Sequence, residues 1–185
     1  MTTNEPSEQL VEMLGQPYDP KRIQALLKPY GVRRLPPVPK SYFNDDIIWT
    51  AKSSLRIDLY RGPKLENLTG LQHPDPQEWI IGSVQFLAPG ADDRIKTPYP
   101  GLLPGSLAMS SSPVQAMAAY GQPAMDEECE WPGFSGRILA WRGQGINIVL
   151  EYEDSLRGRV LRSCTACLIG CIGAWTSDNP EVFAP

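Results

Sequence analysis

The sequence predicts an α+β fold: two α-β-β-β units in tandem, forming an antiparallel sheet with helices packed on one face. Three observations predict it. Residues 7–17 (SEQLVEMLGQP) and 113–123 (PVQAMAAYGQP) are both short amphipathic runs closed by Gly-Gln-Pro. Each is followed, after a variable gap, by a Trp segment, IIWTA in the first half and ILAWR in the second. Each Trp segment leads into an alternating stretch, LRIDLY or INIVLEY, and then a further apolar one, WIIGSVQFL or RVLRSCTACLIG. Repetition on this scale reads as a duplicated scaffold, with units at 1–98 and 113–185 around a linker at 99–112. The first gap is longer because it holds an extra helix, so chance likeness between short apolar segments is the competing explanation.

The elements follow in order. Ser7 suits the cap of a first helix with Leu10, Val11 and Leu14 on one face. Gly15 fits the left-handed position past its end, and Pro17 blocks continuation. Asp19 then caps a second helix with Pro20 at its first position, where a missing N–H costs nothing. Ile23, Leu26, Leu27 and Tyr30 form its apolar stripe, and Gly31 ends it. The proline-rich stretch 33–40 reads as an exposed connector. Strands are expected at 47–51, 54–60 and 79–87, with 61–76 as a long polar loop. In 54–60, Leu55, Ile57 and Leu59 face one way and Arg56, Asp58 and Tyr60 the other. The segment 99–107 (YPGLLPGSL) is too rich in Gly and Pro for a regular element. Ser112-Pro113 repeats the cap-then-proline signal before a helix carrying Val114, Met117, Ala118 and Tyr120. The acidic segment 126–130 (DEECE) then precedes strands at 137–142, 145–152 and 159–169. In 145–152, Ile146, Ile148 and Leu150 point inward and Asn147, Val149 and Glu151 outward. Residues 170–185 read as a loosely structured tail that Trp175 and Phe183 could pin down.

Composition narrows the function. The net charge of -4 disfavours a general nucleic-acid binder, which would show a basic face. The start, 1–6, has neither the basic region nor the apolar core of a signal peptide. The longest apolar run, 167–175, is too short to span a bilayer. A cytoplasmic protein with no membrane association is the expectation. Cys164, Cys167 and Cys171 crowd one strand and Cys129 stands apart; the only histidine is His73. A lone C-x-x-C lacks the second half of a zinc site, and in a strand Cys164 and Cys167 face opposite ways. Buried small apolar side chains are the main reading, a redox or metal role the alternative; no cofactor is expected.

The order helix, Gly-x-Pro, Trp strand, alternating strand, last strand is carried by Leu14-Gly15-Gln16-Pro17, Tyr120-Gly121-Gln122-Pro123, Trp141 and residues 146–152. It resembles the helix-plus-sheet unit of the BamE/SmpA lipoproteins and the β-lactamase inhibitor protein family, which stacks two such units. The linker followed by a Ser-Pro helix and YGQP is similar to immunity proteins encoded beside bacterial polymorphic toxins, contact-delivered or bacteriocin-type. That resemblance implies a non-catalytic cytoplasmic protein that binds one cognate toxin and occludes its active site. The start carries no export signal or lipobox cysteine, a departure from the lipoprotein pattern.

Catalytic constellations are sparse. A Ser-His or Cys-His system would have to use His73, which sits between Gln72 and Pro74 in a polar loop and reads as solvated. Glu151 and Glu153 share a strand face, as a carboxylate pair or simply as a solvated outer surface. Binding needs only a rigid face and anchors. Aromatic residues dominate interface hot spots; Tyr60 and Tyr152 are the expected exposed ones, with Trp131, while Trp49 and Trp141 suit core or contact equally. Asp126, Glu127, Glu128, Glu130, Glu151, Glu153 and Asp154 all come from the second half. They read either as a surface steering a basic toxin, such as a nuclease, or as solubilising loops. An adaptor or chaperone for a secreted effector or phage component is the alternative function.

Overall fold

The computed structural model describes residues 5–171. Seven strands build one sheet: β1 (Asp45–Thr50), β2 (Leu55–Tyr60), β3 (Ile80–Leu87), β4 (Met125–Trp131), β5 (Phe134–Arg142), β6 (Ile146–Ser155) and β7 (Gly158–Leu168). Their order is β1-β2-β3-β7-β6-β5-β4, and every neighbouring pair is antiparallel. The first half supplies one meander and the second half another, joined where β3 pairs with β7. Four helices accompany them: α1 (Pro6–Glu12), α2 (Pro20–Leu27), α3 (Gly62–Thr69) and α4 (Pro113–Tyr120). The fold is therefore α+β. No described helix is long and apolar enough to cross a membrane.

Local chemistry sets the helix boundaries. The Asp19 side chain accepts from the backbone N–H groups of Lys21 and Arg22 at 2.9 and 3.2 Å, relieving two of the orphan donors of α2. Ser112 and Gln115 form a reciprocal capping box at α4. Ser7 does not cap α1. The helix begins one residue earlier, at Pro6 after Glu5, which places Ser7 inside the first turn with its side chain buried. The expected loop 61–76 holds α3: Pro63 lies in its first turn, and Gly70 ends it in the left-handed conformation at φ 70°. The acidic segment expected as a loop is strand β4, so the sheet has seven strands rather than six. Among the described residues β4 pairs on one side only. Its charges stay in water while its backbone extends the sheet, and they guard that edge against foreign strands.

The main core gathers Ile57, Leu59, Val84, Phe86, Leu139, Leu150, Tyr152 and Cys164 from the sheet with Leu10 of α1, Ile23 and Leu27 of α2 and Ala116 of α4. Each fully buried large side chain contributes about 1.5–3 kcal/mol. Leu65 of α3 belongs to a separate cluster with Ile80, Cys167, Leu168 and Cys171. A third cluster under β4 and β5 holds Met125, Phe134, Ile138, Ala140 and Val149. The 99–112 segment is no loose tether. Tyr99, Leu103 and Leu107 are in the main core, with Tyr99 edge-on to Phe86 and Tyr30 at 4.8 and 5.6 Å. The Glu8 carboxylate of α1 accepts from Gly105 N–H at 2.8 Å, and the Tyr120 hydroxyl of α4 donates to the Pro104 carbonyl. The two Gly-Gln-Pro turns do different work. Gly15 and Gln16 exchange backbone bonds with Ile81 of β3, whereas Gly121 accepts from the Trp141 indole and Ala124 bonds Ala140 of β5. The tail expectation, with Trp175 and Phe183, lies outside the described residues from 172 onward.

Candidate functional site

Register divides the sheet into two faces. Ile48, Ile57, Val84, Ala166, Ile148 and Trp141 form one cross-strand row, and it points to the main core. One residue along, the row reads Trp49, Arg56, Gln85, Thr165, Val149, Ala140, Met125. Side chains alternate across a strand, so this second row stands on the opposite face. Beside it, Asp58 is opposite Ser83, and Ser163 is opposite Glu151. The centre of this second face is thus polar where the first is apolar.

A cleft of about 220 Å³ opens there, floored by Arg56, Asp58, Ser83, Gln85, Ser163 and Thr165, with Tyr60, Glu151 and Cys171 on its walls. Asp58 is 5% exposed. Its carboxylate accepts from Arg56 Nε at 2.7 Å, from Gln85 Nε2 at 3.1 Å and from the Ser83 hydroxyl. Glu151 accepts from the Ser163 hydroxyl at 2.7 Å. A charge held in this way is fixed in position, which suits recognition. With Arg56 and Asp58 cancelling, Glu151 leaves the cleft net acidic.

The wall at Tyr60 depends on a β-bulge. The β2–β3 register shifts between Asp58 and Leu59, leaving Gly82 unpaired. A Cβ at Gly82 would run into the Tyr60 ring and lie 3.2 Å from Cys171 Sγ. Glycine therefore lets the ring lie over the strand. Burial, then the charge of Asp58, pushes the Tyr60 hydroxyl well above its usual pKa; the same causes push the Cys171 thiol up to about 12. Trp49, half-buried, has the guanidinium groups of Arg94 and Arg56 over its ring, 4.5 and 5.4 Å from its centre. Trp141 is instead a core residue, 5.1 Å from the Tyr120 ring.

The acidic residues of the second half are not one surface. Asp126 takes a two-pronged contact from Arg137, both bonds 2.7 Å. Arg159 grips Glu128 at 2.5 and 2.7 Å and Asp154 at 2.8 Å. These bonds hold the Asp126 and Asp154 carboxyls below the usual range and raise Arg159 further. Glu130, exposed, is opposite Ser135. Glu127, Glu151 and Glu153 alternate onto the cleft face. Tyr152 is not an exposed contact: it is 0% exposed in the main core, because it shares parity with Ile148 and Leu150. Tyr60 is half-buried, at the cleft. The side chain of Trp131 lies outside the described set.

His73 is remote from this chemistry. Its Nε2 is 3.4 Å from Glu78, and its Nδ1 meets the backbone of Asp75. The hollow around it is formed by Gly62, Pro63, Glu66, Leu71, Gln72 and Pro76, where the Gln72 side chain donates to the Glu66 carboxylate at 2.7 Å. Cys164 and Cys167 fall into different buried clusters, on opposite faces. No group of metal-ligating side chains occurs among the described residues. Sequence reasoning misses Ser83, Gln85, Ser163 and Thr165; the available signal is a polar residue at every second position on four strands. Comparison with known protein families, curated proteins and solved structures finds no match for this chain.

Proposed function

We propose that this protein is a non-catalytic inhibitor of the immunity type, which binds a cognate bacterial toxin in the cytoplasm and covers its active site. The observation that supports this reading is the acidic, pre-bonded cleft set in the face of a continuous sheet. Its charged groups are already tied by internal donors, so binding does not have to order them, and that ordering cost is what rigid interfaces avoid. A basic partner complements the remaining negative charge. Such a toxin would be a secreted effector or a bacteriocin.

The test is co-expression with the product of the neighbouring gene. Restored growth, a co-purifying complex and loss of the toxin's activity within it are the expected results. A complex in which the partner keeps its activity would assign an adaptor instead. Absence of both rescue and complex would reject the inhibitor.

A further inference from the structure

We propose that the outer edge of β1 is a docking surface for a second copy of this chain, which lays its own β1 antiparallel about a two-fold axis at Ile47. The inference goes beyond the inhibitor reading and does not rest on it.

The two ends of the sheet are built differently. β4 closes one end with Asp126, Glu127, Glu128 and Glu130, so a second β4 laid against it would bring carboxylates face to face. β1 closes the other end, and among the described residues it pairs with β2 alone. The ladder fixes which of its groups look outward. Arg61 N–H donates to the Asn44 carbonyl at 3.0 Å, one pair beyond Asp45 and Tyr60 in the β1–β2 register. Bonded and non-bonded pairs alternate in an antiparallel ladder. Asp46, Ile48 and Thr50 therefore bond β2, while Asp45, Ile47 and Trp49 turn N–H and C=O away from it. The Ile47 N–H accordingly meets the Asp46 carboxylate at 2.7 Å, an exposed contact that an incoming carbonyl replaces. The chain leading into this edge is anchored: the Pro36, Pro39 and Ser41 carbonyls accept from the Tyr18 hydroxyl, the Trp79 indole and the Arg61 guanidinium at 2.9, 3.0 and 2.7 Å. Yet Tyr42 and Phe43, which follow, are 99% and 75% exposed, and Ile47 is 40% exposed. Apolar rings held in water by a pinned loop, beside an open strand, are the make-up of a contact surface.

Register selects the second copy. Setting Ile47 opposite its symmetry mate puts Asp45 opposite Trp49, and Asp46 opposite Ile48, of the other copy, so no carboxylate meets another. Asp45, Ile47 and Trp49 all stand on the cleft face, since Ile47 is opposite Asp58 and Trp49 opposite Arg56. Asp45 thus arrives at the Trp49 ring over which the other copy holds Arg94 and Arg56. Arg94 is well exposed, and its own ion pair with Asp92 is long, 3.7 Å, so it is placed to take the incoming carboxylate. The same register runs Tyr42 and Phe43 alongside the exposed Lys52 and Ala51 of the other copy, an ammonium group beside a phenol ring. Sliding two residues one way sets Asp46 against Asp46. Sliding two the other way carries Asp45 past the end of β1, opposite Ala51. The axis is perpendicular to the sheet, so the contact is isologous and both clefts open on the same side.

The test is sedimentation equilibrium of the full chain across the micromolar to millimolar range, where a monomer–dimer equilibrium should appear. I47K sets two ammonium groups face to face at the axis and should weaken the dimer about tenfold or more; the site is exposed, so the Tm of dilute protein should stay as it was. D45K and R94E should each weaken the dimer, and D45K/R94E should restore it, because the exchanged charges attract again. On oxidation I47C/C129S should form an interchain disulfide, since directly opposite residues lie about 5.5 Å apart; V114C/C129S, exposed on α4, should not. A monomer throughout, a dimer that I47K leaves unaltered, or cross-linking through V114C as readily as through I47C would overturn the proposal. A chain that is monomeric alone, but whose complex with the toxin is weakened by I47K, gives the edge to a foreign strand and likewise overturns it. A dimer with these properties and no toxin neutralisation keeps this surface and rejects the inhibitor alone.

Discussion

Replacing Asp58 by Ala removes the acceptor on which three donors converge. The three do not suffer equally. Arg56 is 31% exposed at its side chain, and Gln85 is partly exposed, so water recovers much of their bonding. Ser83 is 1% exposed, and its hydroxyl is left without the carboxylate. An orphaned buried hydroxyl costs about 1–3 kcal/mol, and bonds to a charged acceptor carry about 1.5–3 kcal/mol each before rehydration. With two donors rehydrated, D58A should lose about 2–4 kcal/mol. At this chain length that lowers Tm by about 4–16 °C. Urea unfolding of D58A, S83A and D58A/S83A measures it. The double variant should be more stable than D58A by about 1 kcal/mol or more, because removing the hydroxyl removes the orphan. A D58A loss under about 1 kcal/mol, or a double variant less stable than D58A, would refute the idea that Asp58 organises the cleft floor.

Three further outcomes follow from the same geometry. G136A should destabilise more than G82A, because the new Cβ meets the Tyr152 backbone carbonyl at Gly136 but a movable Tyr60 ring at Gly82; G82A should cost about 1–3 kcal/mol and be partly relieved in G82A/Y60A, read by thermal melts. Asp126 and Asp154 have depressed folded-state pKa values, so their stabilisation is present above the unfolded carboxylate range near about 4 and lost as pH falls through the lower folded values; in D126N the acid limb of the stability curve should flatten, and an unaltered limb counts against the Arg137 pairing. Thiol labelling of the native protein should reach Cys129 first, since Cys164, Cys167 and Cys171 are buried; equal rates for all four would contradict that burial.

Much of this architecture is legible where local chemistry is strong. Asp19-Pro20 and Ser112-Pro113 mark helix starts because a short polar side chain and a missing N–H both suit that position. The alternation of Leu55–Tyr60 and of residues 146–152 shows two half-polar strands. Other parts are hidden by competing signals. A run of Asp and Glu reads as solvated loop, yet Met125, Glu127 and Cys129 alternate with Asp126 and Glu128, and an edge strand tolerates that charge. Gly62-Pro63 reads as a turn, although proline in a first turn equally starts a helix. Tyr152 draws attention because Glu151 and Glu153 flank it, while parity alone puts it beside Leu150 in the core. The cleft is hardest to read. It exists only once β3 and β7 are neighbours, and Ser83 and Thr165, 82 positions apart in the chain, carry no local sign of meeting.

The β3–β7 seam has a consequence for the chain as it leaves the ribosome. β3 has its outer partner β2 as soon as the first half is made, but its inner edge waits for β7, the last of the described strands to be translated. Until then a largely apolar strand, with Ile80, Ile81, Val84 and Phe86 all destined for burial, presents unpaired backbone to any passing extended segment, the situation that favours aggregation of nascent sheets. The acidic strand β4 cannot protect it, since it closes the opposite side of the sheet. Premature stops before residue 158 would therefore leave both β3 and β6 as open edges, and such fragments should accumulate as insoluble material, not as half-sized folded domains.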